Sequence, residues 1–250
     1  MGLLSNKIDQ KQLKRGDHIY SWRQAYLYAH HGIYVGEGMV IHFTNGKLQQ
    51  NGTPTIFDRL FTSSAPSIDT NIPCSRCGDS REINTNGVIS SCLDCFLSGG
   101  ELYLFEYGVS KIHFLARVRG GTCTLALSDP AEEVLFRAFY LLENGFGGYH
   151  VSKNNCEDFA IYCKTGLLAT TNISVAGGSG QAATYKAAFD SIANVSLRFV
   201  TSTSRTNFYS MALVSCGSYC YKRLASDIGF RNGVMKVPLE NIPEMAKVEN

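Results

Sequence analysis

Three short apolar runs open the patterned part of the chain, and their composition predicts strands. His18-Ile19-Tyr20, Gly32-Ile33-Tyr34-Val35-Gly36 and Met39-Val40-Ile41-His42-Phe43 are β-favouring, and Glu37-Gly38 fits the two-residue turn of a hairpin between the last two. Residues 45–73 lose this pattern. Asn, Gly, Thr, Ser and Pro are frequent there and predict loop or insert. Strand-like character resumes at 102–107 and 112–118.

A helical period follows. Asp129 suits an N-cap, Pro130 the first helical position and Glu132 a capping box. Val134, Leu135, Ala138, Leu141 and Leu142 make one apolar face, which Asn144-Gly145 ends. A second helix is predicted from Asn154-Asn155-Cys156 to about Lys164, stopped by Gly166. Ala176-Gly177-Gly178-Ser179-Gly180 reads as a flexible connector, and residues 181–194 and 207–225 have helical character. No internal repeat is visible.

Composition narrows the class. Hydrophobic residues make up 44% and charged residues 18%, a balance that excludes wholesale disorder. The net charge is +2 with no long basic run, so nucleic acid is not an expected partner, while neutral or anionic lipid is tolerated. The start, Met1-Gly2-Leu3-Leu4-Ser5-Asn6-Lys7, is too short and too soon charged for a secretory signal. No stretch reaches the roughly 18 to 20 apolar residues that span a bilayer; residues 208–221 come nearest and are interrupted by Ser210, Ser215 and Ser218. A cytoplasmic protein is expected. Nine cysteines in that setting point to metal ligands or catalysis before disulfides.

Cys156 stands at a predicted helix start, where free amide groups and the helix dipole favour a thiolate. Glu157 and Asp158 oppose that charge, so an imidazole partner is needed. The competing reading is a small buried hydrophobe. His30 precedes the Gly32 strand and His42 lies on its hairpin partner, so the two can come within reach. One imidazole could take the thiol proton while the other fixes its orientation. The alternative is a core His42 and a surface His30.

Four cysteines carry a separate signal. Cys74-Ser75-Arg76-Cys77-Gly78 and Cys92-Leu93-Asp94-Cys95 are two Cys-x2-Cys knuckles separated by fourteen residues. Together they offer a tetrahedral thiolate set for structural Zn2+. Four thiolates close the shell, so the metal is expected to stabilise an insert too polar to fold alone. No organic cofactor is expected.

The ordered motifs Gly16-Asp17-His18-Ile19-Tyr20, His30-His31-Gly32-Ile33-Tyr34-Val35-Gly36-Glu37-Gly38, Val40-Ile41-His42-Phe43 and Asn154-Asn155-Cys156-Glu157-Asp158-Phe159-Ala160 resemble the lecithin:retinol acyltransferase (LRAT) family, within the wider NlpC/P60 group. The resemblance covers residues 16–44 and about 101–168. It implies an α+β fold, a circularly permuted papain-like antiparallel sheet packed on helices, with the zinc-binding segment as an insertion. It implies three parts: a catalytic domain over 16–168, an insert over 45–100 with its ribbon at 74–95, and a helical extension over 169–250. It matches the nucleophile to Cys156, the base to His30 and the second histidine to His42. His31 holds a position usually aromatic in relatives, and Asp158 stands where the family often has His. The implied chemistry is two-step acyl transfer from a glycerophospholipid through a Cys156 thioester, with phospholipid as substrate and peripheral membrane contact. An NlpC/P60-like peptidase or amidase, and a non-enzymatic zinc-ribbon adaptor, are the alternatives.

Other signals are weaker. Gly2 is a candidate for myristoylation, although Asn6 replaces the usual Ser or Thr. Cys216 and Cys220, beside Lys222-Arg223, are candidates for palmitoylation or membrane contact, with a core helix as the simpler reading. The loop 176–180 lacks the Lys-Ser/Thr of a phosphate loop. His113 and His150 read as structural, and Cys123 and Cys163 as buried.

Overall fold

The computed structural model describes residues 6–23, 28–44, 74–78, 87–117, 119–149, 154–169, 180, 184, 188, 190 and 208–242. Its centre is an antiparallel sheet of five strands in the order β4-β3-β2-β1-β5. The strands are β1 (His18–Arg23), β2 (Tyr28–Gly36), β3 (Met39–Phe43), β4 (Val88–Cys92) and β5 (Tyr103–Leu104). The β2–β3 turn forms as expected at Glu37 and Gly38, both at positive φ (52° and 71°).

Side chains alternate across a strand, and here the alternation divides the core in two. On one face Ile33, Ile41, Phe43 and Val88 pack against α3 (Ala131–Asn144) and α4 (Cys156–Thr165), through Val134, Ala138, Leu141, Phe159, Ala160 and Cys163. On the other face Ile19 and Val40 meet Leu93, Phe96 and Leu97 of the short helix α1 (Leu93–Leu97). Gly32 marks a close approach on this second face. A Cβ there would lie 2.7 Å from Val40 Cγ1, 2.9 Å from Phe96 Cε2 and 3.1 Å from His42 Cβ.

The chain's last described segment returns to this core. After α5 (Phe208–Ser226), strand β7 (Val234–Lys236) pairs with β6 (Leu167–Ala169). The Tyr162 hydroxyl donates to the Val237 carbonyl at 2.8 Å, and Val237 and Ile242 join the α3–α4 cluster.

Several local expectations change. The strand expected at 112–118 gives way to a helix, α2, over Lys111–Ala116. Ser110 caps it by accepting the His113 N–H, which leaves Phe114 buried and Ile112 exposed. Within 102–107 only Tyr103–Leu104 forms ladder, and Glu106 makes a single bridge to Cys123. Asp129 does not cap α3. Its carboxylate is taken by Arg137 (2.7 Å) and Lys236 (2.9 Å), and Pro130 stands at the cap position. Strand β4, read only as part of the cysteine segment, completes the sheet. The expectation at 45–73 lies outside the described residues, as does most of 176–194; Thr184, Ala188 and Asp190 are helical.

Candidate active site

Helix α4 begins with a reciprocal cap. Asn155 Oδ1 accepts the N–H groups of Glu157 (2.8 Å) and Asp158 (3.2 Å), and the Asp158 carboxylate accepts the Asn155 N–H at 3.1 Å. This places Cys156 in the first helical position, where it is 5% exposed. Its sulfur lies 3.9 Å from the Ala29 carbonyl and receives hydrogen bonds from the His31 backbone N–H and the Tyr149 side chain.

The position of the sulfur relative to the sheet follows from backbone parity. The N–H and C=O of Tyr34 bond Asp17 and Gly16, on the β1 side. Alternation then turns the backbone groups of Ala29 and His31 to the β3 side. The described β2–β3 ladder covers only Ile33 to Gly36 on β2. The sulfur therefore sits in the notch beside Ala29–His31, where the ladder to β3 has ended.

The same parity sends the two histidines of the doublet to opposite faces. His30 shares its face with Val40, His42 and Phe96, and its Nε2 lies 2.9 Å from His42 Nδ1. His42 Nε2 lies 2.8 Å from Ser91 Oγ on β4. The Phe96 ring stands 5.3 Å from each imidazole and closes this face. His31 points to the other face. Its ring stacks on Tyr20 and its Nδ1 lies 2.9 Å from His18 Nε2, while His18 Nδ1 lies 2.7 Å from the Tyr107 hydroxyl. So the His30 ring leans toward β3, against His42, and the His31 ring leans toward β1, against His18 and Tyr20. Of the ring nitrogens of these four histidines, two are buried without a hydrogen-bond partner, His30 Nδ1 and His31 Nε2.

Burial sets the charge state. It pushes the Cys156 thiol up to about 12, with Glu157 adding to the shift and the His31 N–H and Tyr149 opposing it. It holds His30 well below the usual imidazole range, with help from His42 and Arg23, and takes His42 to about 3. The resting pair is a neutral thiol and a neutral imidazole.

The four knuckle cysteines converge. All their sulfurs lie within 4.8 Å of one another, with Cys74–Cys92 at 3.8 Å and Cys77–Cys95 at 3.7 Å. A tetrahedral ion with bonds of about 2.3 Å needs sulfur–sulfur edges of about 3.8 Å, whereas a disulfide needs about 2.05 Å. The spacing fits a metal. The backbone N–H groups of Arg76 and Cys77 aim at the Cys74 sulfur and pull that thiol down to about 6, while burial pushes the Cys77 and Cys95 thiols up. Gly78, at φ +65°, closes the turn by donating its N–H to the Cys74 carbonyl at 2.8 Å. Arg76 and Asp94 pair across the cluster at 3.0 Å. Cys74, Cys77, Cys92 and Cys95 would hold the ion, and four thiolates would close its shell.

An antiparallel sheet with a cysteine at a helix start and histidines on the facing hairpin defines an LRAT-type α+β protein, and residues 11–169 match the family described as Lecithin retinol acyltransferase. The chain belongs to that family. It is also 53% identical over 243 residues to Protein LEAD-SENSITIVE 1 of Arabidopsis thaliana, covering 97% of this chain and 90% of the relative. No solved structure matches it. Among the described residues no helix is long and apolar enough to cross a membrane.

Two residues of the site carry no clear signal in the sequence. Ser91 had no signal apart from its place next to Cys92. Tyr149 lies in a Gly-rich loop seven residues before Cys156, and only the fold brings it to the sulfur.

Proposed function

We propose that the chain is a thiol-dependent acyltransferase or phospholipase A-type hydrolase acting on acyl esters of glycerophospholipids. Cys156 is the nucleophile, His30 the base and His42 the group that orients it. One observation supports this above the rest: in the run His30–His42–Ser91 every ring nitrogen is engaged except His30 Nδ1, which is left free to take a proton.

His30 Nδ1 takes the Cys156 proton as the sulfur attacks the ester carbonyl carbon. The carbonyl oxygen becomes an oxyanion, for which the Cys156 backbone N–H at the start of α4 is a donor. The intermediate collapses to a Cys156 thioester, and the imidazolium returns its proton to the departing glycerol oxygen. In the second half His30 takes a proton from water, an alcohol or an amine. That acceptor attacks the thioester, and the thiol is regenerated. Because both resting groups are neutral, proton transfer accompanies attack. The peripheral membrane contact this substrate requires is part of the same proposal.

The test is incubation of the purified protein with phosphatidylcholine, followed by mass spectrometry of the intact chain. An acyl adduct at Cys156 is expected, absent in Cys156→Ala. His30→Gln should lower turnover by about 10²- to 10⁴-fold. Wild type that forms no adduct and releases no fatty acid would overturn the reading. Cleavage of peptides in its place would move the chain to the peptidase class.

A further inference from the structure

Two residues that touch the histidine pair come from the cysteine segment. Ser91 immediately precedes Cys92, and Phe96 immediately follows Cys95. Ser91 Oγ is 2.8 Å from His42 Nε2, and the Phe96 ring stands 5.3 Å from both imidazoles. The unit is fixed to the hairpin as well, since the Leu93 N–H donates to the Gly38 carbonyl at 2.7 Å. From these contacts we infer that Ser91 is a positioning residue for His42 and His30, and that the tetrathiolate cluster is the anchor that holds Ser91 and Phe96 in register with them.

The two imidazoles are coupled through their tautomers. A neutral imidazole has one N–H and one lone pair. His30 Nδ1 can take a proton only if its hydrogen is on Nε2, donated to His42 Nδ1. His42 then carries its own hydrogen on Nε2, and that N–H needs an acceptor. Ser91 Oγ is the acceptor in reach. A hydroxyl that accepts here leaves a lone pair at His30 Nδ1, as the proposed base requires; without it, His42 Nε2–H is a buried donor with nothing to meet, and the opposite tautomer gains. Ser91 is 4% exposed, so water does not readily replace it. Ligation of Cys92 and Cys95 by one ion would fix the backbone on the flanks of Ser91 and Phe96.

The role of Ser91 rests on the proposed Cys–His chemistry, and the test separates the two. Ser91→Ala and Ser91→Thr are compared with wild type in turnover of phosphatidylcholine and in the ¹⁵N shifts of the His42 ring, which report its tautomer. Ser91→Ala should lower kcat by about 10- to 100-fold with KM little changed. It should also move His42 away from a single Nε2–H form while metal content stays at the wild-type level. Ser91→Thr should restore both. Cys95→Ser should lose the metal and disturb the same His42 signals although Ser91 is intact. Unchanged His42 shifts and unchanged kcat in Ser91→Ala would overturn the role of Ser91. His42 signals insensitive to metal loss would overturn the anchor. A wild type inactive on lipid would refute the substrate class, and the ring shifts would still decide on Ser91.

Discussion

Four of the six histidines, His18, His30, His31 and His42, are no more than 3% exposed, and burial lowers the pKa of each. His31 and His42 fall to about 3, and His18 and His30 lie well below 6.5. In the unfolded chain all four titrate near the ordinary value of about 6.5. A depressed folded pKa contributes stability that is fully present above the unfolded value and is lost as the pH falls toward the folded one. The window is therefore pH 6.5 down to about 3. At pH 5 each buried neutral histidine costs about 2 kcal/mol, since the unfolded chain takes up nearly one proton per site. Four together remove about 8 kcal/mol, which is within the whole stability of an ordinary domain, about 5 to 15 kcal/mol. Urea unfolding at pH 7.5, 6.5, 5.5 and 5.0 reads this directly, with the single tryptophan, Trp22, as a buried probe. Stability should fall with a slope of about 5 kcal/mol per pH unit near pH 5. The double variant His18→Asn/His31→Asn should roughly halve that slope, which separates the histidines from acid loss of metal at the cysteines. Stability that is flat from pH 7 to 5 would refute the reasoning, because the imidazoles would then be charging inside the folded protein.

Three further outcomes are expected. Gly32→Ala forces a methyl against Val40, Phe96 and His42, so it should cost about 1 to 3 kcal/mol in urea unfolding and lower turnover by displacing His42. Asn155→Ala removes the acceptor for two N–H groups at the start of α4; a loss of about 1 to 2 kcal/mol is expected, with faster alkylation of Cys156 by iodoacetamide as the fraying helix start exposes the buried sulfur. Cys77→Ser should bind less than one equivalent of zinc by elemental analysis and show a lower Tm than wild type at equal zinc.

Much of this architecture was legible in the chain because local signals agreed with tertiary ones. The Glu37-Gly38 turn, the Asn155 cap and the Gly166 stop each follow from residue chemistry at one position, and each formed. The knuckles were legible because two short pairs can converge on one ion whatever surrounds them. Residues 112–118 misled because Ile112 and Phe114 alternate like a strand, while the Ser110 cap, a more local signal, decided the outcome. Asp129 misled because its carboxylate found Arg137 and a lysine 107 residues away, a competitor no local window contains. The His30-His31 doublet could have been separated by parity alone. Ile33 and Ile41 mark the face toward α3 and α4, so position 30 must face the other way, with His42, and position 31 must share the isoleucines' face. Tyr149 and Ser91 were not legible, since each acts across a distance in sequence that only the folded sheet closes.

The neck of the cysteine excursion has a consequence for how this protein can change. Thr44 donates its N–H to the Gly87 carbonyl at 2.7 Å, directly where β3 leaves the sheet and β4 enters it. That clasp fixes both stems of the excursion, so the spacing of β3 and β4, and with it the His42–Ser91 contact, does not depend on how many residues separate Thr44 from Cys74. Length drift is thus confined to one side of a clasp. Descendants of this chain can be trimmed or extended at that point while the imidazoles stay aligned, which makes it the natural place for lineage-specific variation and for splicing in a reporter tag.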